Sequence, residues 1–242
     1  MNTIFLYPYA GGSVSGFRSY ARSFPIDVGT IVPIEIPGRG TREAENYALS
    51  IEECALRSLT PVNAHGGPYI LHGHCMGALL VVETMQLLIR AQQRLPDFII
   101  VSGRNSPEFI TPWSQKVADL NDQDFFSALE AIGGVPRGLN FAMGQSFLKR
   151  IRHDQAMARG YTAKDLKMPV PILVLGGKDD EMTTQEGLEG WRNFTSSTIS
   201  IEWMHGAHYF ILDRPTEVAD AVERFWRSLG TISQRATKSL MG

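Results

Sequence analysis

Tyr69-Ile70-Leu71-His72-Gly73-His74-Cys75-Met76-Gly77-Ala78-Leu79-Leu80 is the stretch whose reading decides the fold. Its first four residues read as a short buried strand, Tyr69–His72, and a helical pattern starts at Met76 and runs to about Gln93. Between them stands Gly73-His74-Cys75-Met76-Gly77, of the form G-x-nucleophile-x-G. A strained strand-to-helix turn needs small residues on both sides of its apex, and it lifts the central side chain above the N-terminus of the next helix. That helix end favours an anion, so it lowers the pKa of a thiol and helps stabilise an oxyanion. The pentapeptide therefore places a nucleophile at Cys75 and predicts acyl-transfer chemistry.

Outward from this turn, short apolar runs alternate with longer helical patterns, the signature of βαβ units around a parallel sheet. Further strands are expected at Thr3–Tyr7, Thr30–Ile34, Phe98–Ser102, Ile172–Leu175 and Thr198–Met204. Helices are expected at Ser15–Phe24, Ser50–Ala64, Gln185–Phe194 and Pro215–Leu229, the last opening on a proline whose missing N–H costs nothing there. One stretch breaks the rhythm. The chain from about residue 103 to 168 is too long for an ordinary connection and carries its own helical patterns, Gln123–Ile132 and about Phe141–Tyr161. It reads as a helical lid inserted over the carboxyl edge of the sheet. Phe125, Phe126, Leu129, Phe141, Phe147 and Leu148 in it are candidates to line an acyl tunnel, although such spacing also suits an ordinary core. Residues 1–230 read as a single domain. Residues 231–242 lack apolar periodicity and read as a disordered tail.

A thiol nucleophile needs a base, and in this layout an acid follows a later strand and a histidine follows the last one. Gly176-Gly177-Lys178-Asp179-Asp180 and His205-Gly206-Ala207-His208-Tyr209-Phe210 stand in those places. His208 is the expected base, with His205 as understudy, and Asp180 the expected acid ahead of Asp179. A buried carboxylate there would hold the imidazole in its working tautomer. The oxyanion hole needs two backbone N–H groups, taken as those of Met76, after the nucleophile, and Ala10, in the glycine-rich loop Tyr7-Pro8-Tyr9-Ala10-Gly11-Gly12-Ser13; Tyr9 is the alternative. No metal is expected: the histidines match no helical ligand spacing, and His72 and His74 are read as pointing to opposite sides of their strand.

Composition narrows the partners. The 242 residues are 43% hydrophobic and 20% charged, with a formal net charge of −2 and no long basic run, which argues against nucleic acid or anionic lipid. The N-terminus lacks a basic stretch ahead of its apolar run, and no run is long enough to cross a bilayer, so a cytoplasmic monomer is expected. Two cysteines make no disulfide framework, and Cys54 reads as a small buried hydrophobe in a helix.

Taken together, Pro8-Tyr9-Ala10-Gly11-Gly12, Pro37-Gly38-Arg39-Gly40, Gly73-His74-Cys75-Met76-Gly77, Gly177-Lys178-Asp179-Asp180 and Gly206-Ala207-His208-Tyr209-Phe210 resemble the stand-alone type II thioesterases of nonribosomal peptide and polyketide synthase pathways. The likeness spans residues 3 to about 229 and includes the lid segments Leu120–Phe125 and Leu129–Pro136. It implies an α/β-hydrolase fold, a mostly parallel central sheet flanked by helices, and hydrolysis of acyl or aminoacyl groups from the phosphopantetheine arms of carrier proteins, with no cofactor of its own. Because carrier proteins of this kind are acidic, some of Arg18, Arg22, Arg39 and Arg42 are expected at the mouth of the site. The resemblance also implies His at Tyr9 and Ser at Cys75. A cysteine nucleophile leaves two further readings open, an acyltransferase or cyclase on carrier-bound thioesters and a non-catalytic carrier-binding module.

Overall fold

The structure is a computed structural model that describes residues 2–136, 138–163 and 167–240, with the side chains of residues 231–240 left aside. Six strands, β1 (Thr3–Tyr7), β2 (Thr30–Pro33), β3 (Tyr69–His74), β4 (Ile99–Ser102), β5 (Ile172–Gly177) and β6 (Ile199–Met204), form one sheet in the order β2-β1-β3-β4-β5-β6. Every pairing is parallel. Strands β3, β4 and β5 are buried along their whole length, which is why their sequences read as apolar runs without alternation.

The helices are α1 (Arg18–Ser23), α2 (Ile51–Arg57), α3 (Thr60–Asn63), α4 (Met76–Arg90), α5 (Pro112–Lys116), α6 (Asp122–Ala131), α7 (Gln145–Gly160), α8 (Gln185–Glu189), α9 (Phe210–Asp213) and α10 (Pro215–Leu240). Alternate strand residues sort onto two cores, as a period of two requires. Phe5, Tyr7, Leu71, Ile99, Val101 and Val174 meet α2 and α4, while Ile4, Leu6, Ile70, Ile100, Leu173 and Leu175 meet α1, α9 and α10. Between β4 and β5 lie α5, α6 and α7, with a small core of their own.

Three expectations are corrected. The helix expected over Ser50–Ala64 is two, because Pro61 in the first turn of α3 has no N–H to carry an α2 ladder onward. The long lid helix starts at Gln145, after Gly144, rather than near Phe141. Thr231–Leu240, read from sequence as a disordered tail, is described as a continuation of α10. Those ten residues include no proline or glycine and several good helix formers, so backbone propensity extends the helix without apolar periodicity. The last two residues of that expected tail, Met241 and Gly242, lie outside the described residues.

Candidate active site

Cys75 occupies the apex between β3 and α4 with φ 55° and ψ −116°, a left-handed conformation that costs a non-glycine residue energy and that surrounding structure must hold. Its neighbours explain the motif. A Cβ on Gly73 would stand 2.2 Å from the Gly77 carbonyl oxygen, and one on Gly77 would stand 2.3 Å from the Tyr7 carbonyl oxygen. Neither backbone atom can move aside, so both positions require glycine. The Cys75 N–H donates to the Ser102 carbonyl at 2.8 Å, which ties the apex to the end of β4.

Asp180 and His208 follow the last two strands, β5 and β6. Nδ1 of His208 lies 3.0 Å from Asp180 Oδ2, with both side chains almost wholly buried. Asp180 is itself oriented: its Oδ1 accepts the Met182 N–H at 2.9 Å and its Oδ2 the Thr183 hydroxyl at 3.3 Å. Gly177 lets the two loops approach, since a Cβ there would come within 2.7 Å of the Gly206 carbonyl. Asp179 is exposed, and His205 sits on the surface, its Nδ1 2.8 Å from Glu217 Oε1. The geometry thus joins Asp180 and His208 and leaves Asp179 and His205 outside.

Electrostatics link this pair to the thiol. Burial pushes the Cys75 thiol up, but His208, Arg104 and the Met76 N–H outweigh it and hold the pKa below the ordinary thiol value. For His208, burial acts downward, and the Cys75 and Asp180 charges overcome it and raise the imidazole pKa. Both directions have one cause, the nearness of thiol and imidazole, and both favour the thiolate–imidazolium form, while His208 Nε2 itself makes no hydrogen bond among the described residues. Cys54, by contrast, is pushed up to about 12 by burial and by Asp154.

The Met76 N–H points at the nucleophile, and Ala10 lines the same cavity as Cys75. The loop that carries Ala10 is fixed by Arg39 and by Asp154, of which the sequence reading did not single out Asp154. Gly11 N–H donates to Asp154 Oδ2 at 2.7 Å, and Arg39 grips the same carboxylate with two bonds of 2.6 and 2.7 Å and the Gly12 carbonyl with a third of 3.2 Å. Gly11 is thereby engaged, whereas the Ala10 N–H has no acceptor among the described residues. Arg39, expected at the mouth of the site, is 1% exposed and is a positioning residue instead. Asp154 was legible: it falls on the apolar face of α7 with Leu148, Ile151 and Met157, where a charge needs a partner.

His72 and His74 share a face, as residues two apart in a strand must, and this corrects the reading that set them on opposite sides. His72 Nε2 and His74 Nδ1 both contact Ser102 Oγ, at 2.8 and 3.0 Å. Burial holds His72 down at about 3 and His74 well below the usual histidine range, so both remain neutral beneath the site.

Of the six lid residues taken for an acyl tunnel, Phe125, Phe126, Leu129 and Leu148 are buried in the lid's own core, with Phe141 and Phe147 packed against it. Leu129 alone among them also borders a small cavity of about 20 Å³ at Cys75 and His208. Apolar faces of two neighbouring helices bury each other first. The larger cavity beside Cys75, about 270 Å³, is lined instead by Trp113, Phe109, Ile110, Met182, Tyr161 and Arg104, among others. A surface groove of about 690 Å³ runs between the Tyr9–Gly16 loop and Ala131–Pro136, with Tyr209, Arg150 and the lid residue Phe147 in its wall. The small cavity shares Ile132 and Tyr209 with the groove and Trp113, Gln155 and Met182 with the larger cavity, so it adjoins both.

A family model described as "Thioesterase domain" matches residues 2–226. The chain belongs to that family. Among curated relatives, the gramicidin S biosynthesis protein GrsT of Aneurinibacillus migulanus is 30% identical over 224 residues, covering 90% of this chain and 86% of that protein. Among solved structures, the RedJ thioesterase from the prodiginine biosynthetic pathway in Streptomyces coelicolor superposes with a TM-score of 0.78 at 26% identity, covering 95% of this chain and 89% of that one. ClbQ from the colibactin NRPS/PKS pathway superposes with a TM-score of 0.83 at 23% identity over 96% of this chain and all of that one, a likeness of fold. In this thioesterase the apex of the turn between β3 and α4 carries a thiol, that of Cys75. No helix among the described residues is long and apolar enough to cross a membrane.

Proposed function

We propose that this thioesterase-family protein hydrolyses acyl or aminoacyl groups from the phosphopantetheine arms of carrier proteins in nonribosomal peptide or polyketide biosynthesis, in the cytoplasm and without a cofactor of its own. The observation that carries the reading is the placing of Cys75, His208 and Asp180 between a surface groove and a second, mostly apolar cleft. A pantetheine arm lies in the groove, its thioester reaches Cys75, and the acyl group passes into the cleft.

The chemistry follows from the charges. The Cys75 thiolate attacks the thioester carbonyl, and the oxyanion is held by the N–H groups of Met76 and Ala10. The carbon–sulfur bond to pantetheine then breaks, and the leaving sulfur takes the proton from His208. His208, now neutral and oriented by Asp180, removes a proton from water as the water attacks the acyl-Cys75 carbonyl. Collapse of that second intermediate releases the carboxylic acid and returns the thiolate–imidazolium pair. An amine in place of water would make the same site an acyltransferase, a reading favoured by the thiol nucleophile because S-acyl groups pass readily to amines.

The test is intact-protein mass spectrometry and product analysis with acyl groups on carrier proteins and on short pantetheine mimics. Carrier-bound thioesters are expected to show the higher kcat/KM, since contacts remote from the thioester contribute binding that the mimic lacks. Equal kcat/KM would remove the carrier proposal and keep the hydrolase. Absence of both acylation and turnover on every substrate would remove the function.

A further inference from the structure

The chamber beside Cys75 is walled mostly by apolar side chains, yet two of its groups are unsatisfied. Nε of Arg104 is buried with no hydrogen-bond partner, and so is the hydroxyl of Thr111, a residue 3% exposed. Arg104 forms no ion pair among the described residues, and neither Asp nor Glu lines the chamber. The other charge in its wall is the exposed Arg159. Arg104 is half-buried as a residue, and it is the buried Nε that is costly to leave without an acceptor.

Arg104 lines the same cavity as Cys75, and its charge interacts with the Cys75 thiolate. The thiolate charge vanishes when Cys75 is acylated, at the stage when the acyl chain occupies the chamber. Arg104 is then unpaired unless the acyl group brings an anion. A phosphate from the carrier arm cannot serve, because it lies at the far end of pantetheine, beyond two amide groups, on the groove side. Proximity points the same way: Arg104 and Cys75 line one cavity and their charges interact, so a carboxylate a few atoms from the thioester carbonyl reaches the guanidinium.

We propose that Arg104, aided by Thr111, binds a carboxylate on the acyl group, so that the preferred substrates are short carboxyacyl thioesters of the malonyl or succinyl type. The inference rests on the thioesterase reading above and specifies its substrate class. A ketone or hydroxyl on the acyl chain would satisfy the donors but would not offset the charge, which is why a carboxylate is favoured.

The experiment compares kcat/KM for succinyl- and butyryl-pantetheine, thioesters matched in chain length and differing in the terminal carboxylate. The protein is expected to favour succinyl by about tenfold or more, as a charge-assisted bidentate contact provides. Arg104→Met should collapse that ratio toward one, and Arg104→Lys should retain part of it. A butyryl rate equal to or above the succinyl rate in the unmodified protein overturns the inference and leaves the thioesterase reading standing, whether or not the variants fold. Equal loss on both esters in Arg104→Met also overturns it, reducing Arg104 to a support for the thiolate. Turnover of neither ester, with other acyl thioesters still hydrolysed, overturns the inference and leaves the thioesterase reading standing, whereas turnover of no acyl thioester at all removes both.

Discussion

Replacing Asp154 with leucine tests whether the lid positions the oxyanion loop. Asp154 is fully buried on α7 and receives three N–H bonds, two from Arg39 and one from Gly11. In Asp154→Leu the Arg39 guanidinium stays buried without its partner, which costs about 3–5 kcal/mol, and the orphaned Gly11 N–H pushes toward the upper end. Against a typical total of about 5–15 kcal/mol, the variant should be only marginally stable. For a chain of this size the loss corresponds to a Tm lower by about 6–20 °C. Removing both charges, in Arg39→Met/Asp154→Leu, should restore most of the stability, because no unpaired ion remains. Urea unfolding of the two single variants and the double variant measures this coupling. Where Asp154→Leu remains folded, kcat should fall about tenfold to a hundredfold, since the loop bearing Ala10 loses its anchor. An Asp154→Leu cost below about 1 kcal/mol, or a double variant as unstable as the two single losses combined, would refute the reasoning.

Iodoacetamide should label Cys75 far faster than Cys54 near neutral pH, because one thiol is held below its ordinary value and the other pushed up to about 12. The sign fixes the profile: Cys75 labelling should change little around the ordinary thiol pKa and fall only as pH drops through its own lower value, and peptide mapping that shows the two cysteines labelled alike would count against the assignment. His208→Ala should cut thioester turnover by about a hundredfold to ten-thousandfold, and Asp180→Asn should also be severe, while His205→Ala and Asp179→Asn should stay within about twofold; steady-state kinetics that reverse either order would reassign the site. Cys75→Ser should slow acylation, because a hydroxyl needs general-base help that a thiolate–imidazolium pair does not, and burst kinetics read this directly. Faster steady turnover by the serine form, with acyl-Cys75 accumulating in the unmodified protein, would show instead that the site is built around a serine.

Much of the site was readable because its parts are local. The glycines at 73 and 77 and the nucleophile between them sit in one pentapeptide, and the order of acid and histidine follows from the strand sequence alone. Errors arose where side chains depend on what packs across from them. Phe125, Phe126 and Leu148 have the spacing of a tunnel and of a helix–helix core alike, and only the position of α7 against α6 makes them core. Arg39 reads as a surface cation because its partner, Asp154, lies 115 residues away along the chain.

The sequence by itself determined a parallel α/β sheet with a thiol raised on a strand-to-helix turn, since backbone sterics and strand periodicity act over a few neighbouring residues. Only the tertiary structure decided which acid meets which histidine, that Arg39 and Asp154 tie the lid to the glycine-rich loop after β1, and that Arg104 lines the cavity beside Cys75 without a carboxylate. Ion pairs and cavities are relations between surfaces distant along the chain, and burial, which sets their energy, exists only once those surfaces have met.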